Sequence, residues 1–259
     1  METILKELKS IESKHHIKIL YACESGSRAW GYASRDSDYD IRFIYIQCPQ
    51  WYLSIDEHKD NMVEKINDSM DVSGWDIRKA LKLFRNSNPS LLEWLNAHMV
   101  YMEYAPFIKE LRKLMPRAFS EKACLHHYFN MARNNMDQWK NGKKHEIKWY
   151  FNILRPLLCC KWMEMKHTVP PVLFQELMEI LPSGDIHHKM TALLNQRKLG
   201  INAKSVSPER AIDDFIDQEL LHLEAYLPTI KEMKSDMTPH LNTLYRKTLK
   251  EIWRECDLC

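Results

Sequence analysis

Apolar residues at helical spacing open the chain. In "ETILKELKSIESKHH", Ile4, Leu5, Leu8 and Ile11 recur every three to four positions, which predicts an amphipathic helix. "IKILYACES" (17–25) follows as a short run rich in β-branched and aromatic residues, the pattern of a buried strand. A glycine- and serine-rich stretch separates it from "IRFIYIQ" (41–47), a second strand stopped by Pro49. Residues 49 to 69 are polar and punctuated, and "SMDVSGWD" (69–76) reads as a third strand. "IRKALKLFRNS" (77–87) returns to helical periodicity. Asn88-Pro89 then breaks that helix and begins the next, with Asn88 as N-cap and Pro89 at the first helical position, and "SLLEWLNAHMVY" carries it on.

From about residue 118 every apolar pattern is helical: "EKACLHHYFNMARNNMDQWKN", "HEIKWYFNILRPLLCCKWMEMKH", "PVLFQELMEIL", "DIHHKMTALLNQRKLG", "PERAIDDFIDQELLHLEAYLPTIKEMK" and "PHLNTLYRKTLKEIWREC". Breakers separate them at Gly142, Pro170-Pro171, Pro182 to Gly184, Gly200 to Pro208, and Pro239; Ser207-Pro208-Glu209 is a helix entry. The order predicts an α+β domain over 1–117, a small mixed sheet with flanking helices, followed by an all-α domain over 118–259. No repeat or low-complexity segment interrupts it.

Composition changes this picture little. A chain of 259 residues with 45% hydrophobic and 28% charged residues is globular, and a net charge of +2 confines any basic surface to a local patch. Seven cysteines at irregular spacing, behind a charged amphipathic N-terminus, point to a reduced, cytoplasmic setting. Cys256 and Cys259 form a lone C-x-x-C with no second pair, which argues against zinc. No run approaches the ~18 apolar residues that would span a membrane. Oligomeric state is not legible.

The chemistry gathers in "SGSRAWGYASRDSDYDIRF" (25–43), which holds two of the six glycines and ends on Asp36, Asp38 and Asp40. Asp38 and Asp40 stand two apart at a strand start, so their side chains share a face, with Cα atoms roughly 7 Å apart. Carboxylates so close repel unless a cation lies between them. Mg²⁺ or Mn²⁺ binds through such pairs together with substrate phosphates, and two ions about 4 Å apart serve phosphoryl or nucleotidyl transfer. Gly26-Ser27, where a strand gives way to a helix, offers free backbone N–H groups and a hydroxyl to a triphosphate. Arg42, two beyond Asp40, shares its face and is placed to touch a phosphate, to balance the carboxylates or to make a structural ion pair. Arg28 flanks the same stretch. Lys148 and Arg155, seven apart with Asn152 between them, share a helix face as a cationic stripe facing a triphosphate or plain solvent. The basic run "KNGKKHEIK" (140–148) suits nucleic-acid phosphates or solubility alone, and the histidine pairs show no metal-ligand spacing.

"GSRAWG…SDYDIR" resembles the G-S-x-A-x-G…S-D-x-D signature of DNA polymerase beta-like nucleotidyltransferases. "GWDIRKALKLFRNSNPSLLEWL" (74–95) and "KWYFNILRPLLCCKWM" (148–163) resemble one bacterial and phage branch, the RNA repair pathway DNA polymerase beta family. The resemblance runs over most of the chain. It implies that Gly26 and Ser27 hold nucleotide phosphates and that Asp38 and Asp40 ligate two Mg²⁺ ions. A third carboxylate is expected from a neighbouring strand: Asp71, preferred, or Asp76, which equally suits an N-cap. It gives Lys148 and Arg155 a nucleotide-side role, makes an RNA end the acceptor, and has the helical domain close over the nucleotide. Glu93 and Trp94 are read as core. The competing readings are a nucleotide-binding regulator without transferase activity, and transfer to a protein or small-molecule hydroxyl.

Overall fold

The computed structural model describes residues 1–67, 69–141, 147–200, 210–231 and 235–254. Its elements run α1(Glu2–His15), β1(Lys18–Ser25), α2(Gly26–Ala29), β2(Tyr39–Ile46), α3(Pro49–Tyr52), β3(Asn61–Asn67), β4(Met70–Asp76), α4(Ile77–Arg85), α5(Pro89–Leu95), β5(Val100–Glu103) and α6(Ala105–Ala118). The helices α7(Glu121–Lys140), α8(Ile147–Lys166), α9(Phe174–Leu177), α10(Asp185–Lys198), α11(Arg210–Tyr226) and α12(Thr238–Ile252) follow. Short 3₁₀ turns cover Met178–Ile180 and Leu227–Thr229.

The sheet has the order β3-β4-β2-β1-β5. β1 is antiparallel to both β2 and β5, β2 is parallel to β4, and β3 is antiparallel to β4, so the sheet is mixed as expected. Ile4, Leu8 and Ile11 of α1 pack with Ile19, Ala22, Ile41, Phe43 and Val72 in one cluster on one face of the sheet. Strand alternation sends Asp40, Arg42, Asp71 and Trp75 to the opposite face, where Trp75 stacks on Trp94 of α5 with ring centroids 3.8 Å apart. Gly74 lets β4 approach β2 closely, because a Cβ there would lie 2.3 Å from the Phe43 ring. Each large side chain so buried contributes about 1.5–3 kcal/mol, which holds strands whose ends carry charge.

Two strands escaped the sequence. β3 lies in the polar stretch after residue 49; it is an edge strand paired on one side, with Val63 exposed, so it carries no apolar run. β5 was absorbed into a predicted helix, but α5 stops at Leu95 and Asn96 caps it. Pro156 stands inside α8, a helix of 20 residues that the sequence read as continuous. The expected "PVLFQELMEIL" helix is one turn of α9 followed by a 3₁₀ turn.

The chain forms two compact units. The first holds Met1–Ala29, Asp38–Ala118 and the stretch carrying α12; the second holds Trp30–Ser37 and Phe119–Met233. One boundary falls at Ala118, next to the expected one, but α12 groups with the sheet-bearing unit rather than with the other helices. Helical periodicity reports that α12 buries Leu241 and Leu244, not what covers them.

Candidate active site

β1 ends at Ser25, and the next residue turns the chain. Gly26 has φ +60, in the left-handed region that glycine enters without strain, and begins the single turn α2. A Cβ on Gly26 would lie 2.0 Å from Asp40 Oδ2 and 2.8 Å from its Cγ. The glycine is therefore required both by its backbone angle and by the carboxylate packed against it. The register explains the approach: Ser25 pairs with Asp40 across the antiparallel β1–β2 ladder, and Asp40 pairs with Asp71 across the parallel β2–β4 ladder.

Arg42 joins the two carboxylates. Its Nη2 donates to Asp40 Oδ1 at 3.1 Å and to Asp71 Oδ2 at 2.8 Å, while Nη1 donates to the carbonyls of Ile41 and Asp71. Two carboxylate oxygens thus converge on one positively charged point, and an all-oxygen donor pair is what a hard divalent cation selects. The residues present fit such an ion. Among the described residues, no three His, Cys, Asp or Glu side chains are grouped as a complete ligand set.

Residues 1–247 match the profile of the RNA repair pathway DNA polymerase beta family. The chain belongs to that family. YcgL of Bacillus subtilis (strain 168), an uncharacterized protein, is 42% identical over 255 residues, covering 98% of each chain. A solved structure of a nucleotidyltransferase-like protein from Exiguobacterium sibiricum 255-15 aligns over 98% of this chain and 81% of that one, at 13% identity and a TM-score of 0.32, too weak a likeness to build on. Family membership, with the small mixed sheet and many helices, makes this a polymerase beta-like nucleotidyltransferase fold.

In this family member the two candidates for a third carboxylate part company. Asp71 lies beside Asp40 and half-exposed. Asp76 lies five residues further along β4, about 17 Å away by strand rise. There it is buried, its Oδ1 accepts from the Arg78 N–H at 2.8 Å as N-cap of α4, and its Oδ2 accepts from Tyr52 Oη at 2.7 Å. Burial pushes its carboxyl above the usual range. Asp38 sits one residue ahead of β2 and is exposed, so it does not share a strand with Asp40 as the spacing implied; its carbonyl accepts from Arg28 Nε at 3.1 Å, and the Arg28 guanidinium lies 3.9 Å from the Tyr39 ring centroid. Ser27 is half-exposed within α2.

Lys148 and Arg155 belong to the second unit and do not form one exposed stripe. Lys148 is exposed, whereas Arg155 is 3% exposed, with its guanidinium 4.5 Å from the Trp30 ring centroid and Nη2 donating to the Val172 carbonyl. Their equal helix phase is real, but α8 is covered on all sides from Ile153 to Cys160. Of the loop 140–148, residues 142–146 lie outside the described residues, as do Cys256 and Cys259. Cys23, Cys48, Cys124, Cys159 and Cys160 are not in disulfides. Among the described residues no helix is long and apolar enough to cross a membrane.

One pair was missed. Glu24, 1% exposed on β1, accepts from the Asp40 backbone N–H at 2.9 Å through Oε1 and from Tyr101 Oη of β5 through Oε2. Burial raises its carboxyl above the ordinary range. It fixes the backbone that carries Asp40. The available signal was a single acid inside the otherwise apolar "ILYACES", since a buried carboxylate needs partners.

Proposed function

We propose that the chain is a metal-dependent nucleotidyltransferase that moves a nucleoside monophosphate from a nucleoside triphosphate to an acceptor hydroxyl, with release of pyrophosphate. The observation that carries this reading is Gly26 packed on Asp40, with Asp71 joined to Asp40 through Arg42. Asp40 and Asp71, with Asp38 at the strand entrance, would hold Mg²⁺ or Mn²⁺, which would supply charge stabilisation at the α-phosphate and lower the acceptor hydroxyl's pKa. Asp71 would take the acceptor proton. Gly26 and Ser27 would receive the phosphates through backbone N–H groups and the hydroxyl, and Arg42 could turn from its carboxylate partners to a phosphate oxygen. Lys148 enters as a nucleotide-side cation on the family resemblance alone, whereas Arg155, 3% exposed, is held in the packing of the second unit. An RNA end is the preferred acceptor, on the family's description. The free cysteines support a reducing, cytoplasmic compartment.

A second reading, a nucleotide-binding regulator without transfer, is favoured by one observation: Arg42 already ion-pairs with both carboxylates. Incubation with each α-labelled nucleoside triphosphate, Mg²⁺ or Mn²⁺, and pools of RNA, protein and small hydroxyl compounds separates the two. Label on an acceptor, lost in Asp40→Asn and Asp71→Asn, supports transfer and names the acceptor class. Bound nucleotide with no labelled acceptor supports the regulator.

A further inference from the structure

A net charge of +2 conceals an uneven distribution. α3, α4 and α12, all in the sheet-bearing unit, frame two adjoining hollows that share Arg78 and Tyr245. The larger, about 630 Å³, is lined by Tyr52, Tyr245 and Trp253 with Arg246, Lys250 and Arg254; the smaller, about 200 Å³, adds Lys82 and Arg85. Among the described residues no carboxylate lines either. Arg78 is balanced in part by buried Asp76, 3.6 Å from its Nε, and Glu251 is turned to Tyr104. The acids Asp56, Glu57 and Asp60 line a third hollow that adjoins these through Tyr52, Arg78 and Lys82, on the side away from Arg246, Lys250 and Arg254. Arg246 and Lys250 lie one turn apart on α12 and Arg254 just past its end, all exposed, so the helical pair sets like charges on one face at a cost of a few tenths of a kcal/mol. Such a face is stabilised when a polyanion covers it.

The aromatic lining adds a second requirement. Tyr52 and Tyr245 meet edge to face at 5.5 Å, the Arg78 guanidinium lies 4.7 Å from the Tyr52 ring centroid, and the Trp253 indole N–H is buried without a partner among the described residues. Flat rings between guanidinium groups suit a nucleobase between phosphates. We propose that this face docks single-stranded nucleic acid, with phosphates on the cations and bases against Tyr52, Tyr245 and Trp253. The Tyr52–Asp76 hydrogen bond fixes it to the far end of β4 from Asp71, so it is a separate site and the proposal stands whether or not the chain transfers nucleotides.

The test is fluorescence anisotropy with a labelled oligoribonucleotide of roughly 12 residues, a length within the range of single-strand sites. Each phosphate contact adds about 0.7 to the slope of log K against log salt. Arg246→Gln/Lys250→Gln should therefore flatten the slope by about 1.4 and weaken binding about 25-fold near 0.1 M salt. Both side chains are exposed, so its melting temperature should match the parent's. Trp253→Leu should weaken the oligonucleotide by roughly 5- to 100-fold while leaving the weak binding of a poly-glutamate of equal charge unchanged. The α12 variant should lose binding equally with neither metal nor nucleoside triphosphate present, which keeps this result apart from any failure of transfer. Three results would each overturn the proposal: no oligonucleotide binding, binding unmoved by the α12 variants, or full competition by ATP or poly-glutamate at matched charge.

Discussion

Gly26→Ala perturbs the centre of the candidate site with one methyl group, and its cost divides into two parts. An alanine at φ +60 pays about 1–2 kcal/mol for the left-handed backbone. Its Cβ also meets Asp40 Oδ2 at 2.0 Å, so the carboxylate must turn away and lose Arg42, which adds about 1–2 kcal/mol of overpacking and lost ion pair. The sum, about 2–4 kcal/mol, corresponds to a fall of roughly 5–12 °C in Tm for a chain of this size. Asp40→Ala removes Oδ2 and Cγ and leaves only a Cβ at 3.2 Å, so Gly26→Ala in that background should cost the backbone part alone. Urea midpoints of the parent, both single variants and the double variant give the coupling directly, expected at about 1–2 kcal/mol. Additivity within about 0.5 kcal/mol would refute the packing of Gly26 on Asp40. Gly26→Ala should also lose labelled nucleotide transfer, and retained transfer would refute the placing of Gly26 and Asp40 in one site.

Asp71→Asn should abolish transfer with little change in Tm, whereas Asp76→Asn should keep transfer and lose about 1 kcal/mol of stability as its cap and Tyr52 contacts weaken; thermal melts beside the labelling assay check both. Asp76 also gives a pH signature. Its folded carboxyl is raised by burial, so its stabilising contribution is full below the unfolded value near about 4 and is lost as pH rises through the folded one. Urea midpoints from acid to neutral pH should show the parent losing ground to Asp76→Asn across that window, and a constant gap would contradict it. Tyr101→Phe removes a donor from buried Glu24 and should cost about 1–3 kcal/mol. Calorimetry should show weaker Mn²⁺ binding as well, because Glu24 positions the Asp40 backbone.

The local half of the site was legible because it is local. Gly26 stands fourteen residues before Asp40, and a strand–turn–strand path brings such neighbours together in almost any sheet; the apolar runs of β1, β2 and β4 likewise announce themselves by composition. Asp71 against Asp76 was not decidable this way. Both flank the same strand, and only the parallel pairing of β2 with β4 sets Asp71 beside Asp40 and leaves Asp76 to cap α4. Period also failed where burial is one-sided or complete. β3 shows no apolar run because it lies at an edge, and Arg155 shares a helix phase with Lys148 yet is buried, since phase fixes direction and not what lies there. Glu24 and α12 show the same limit. A carboxylate's partner on β5, 77 residues away, and the unit that a C-terminal helix joins are set by long-range packing. The sequence by itself determined the family, the elements of the sheet's centre and the nearness of Gly26 to Asp40, because these depend on residues near one another in the chain. The tertiary structure alone decided which carboxylates meet, which cations stay exposed and which helices cover the sheet, because those depend on the order and direction in which the strands pair.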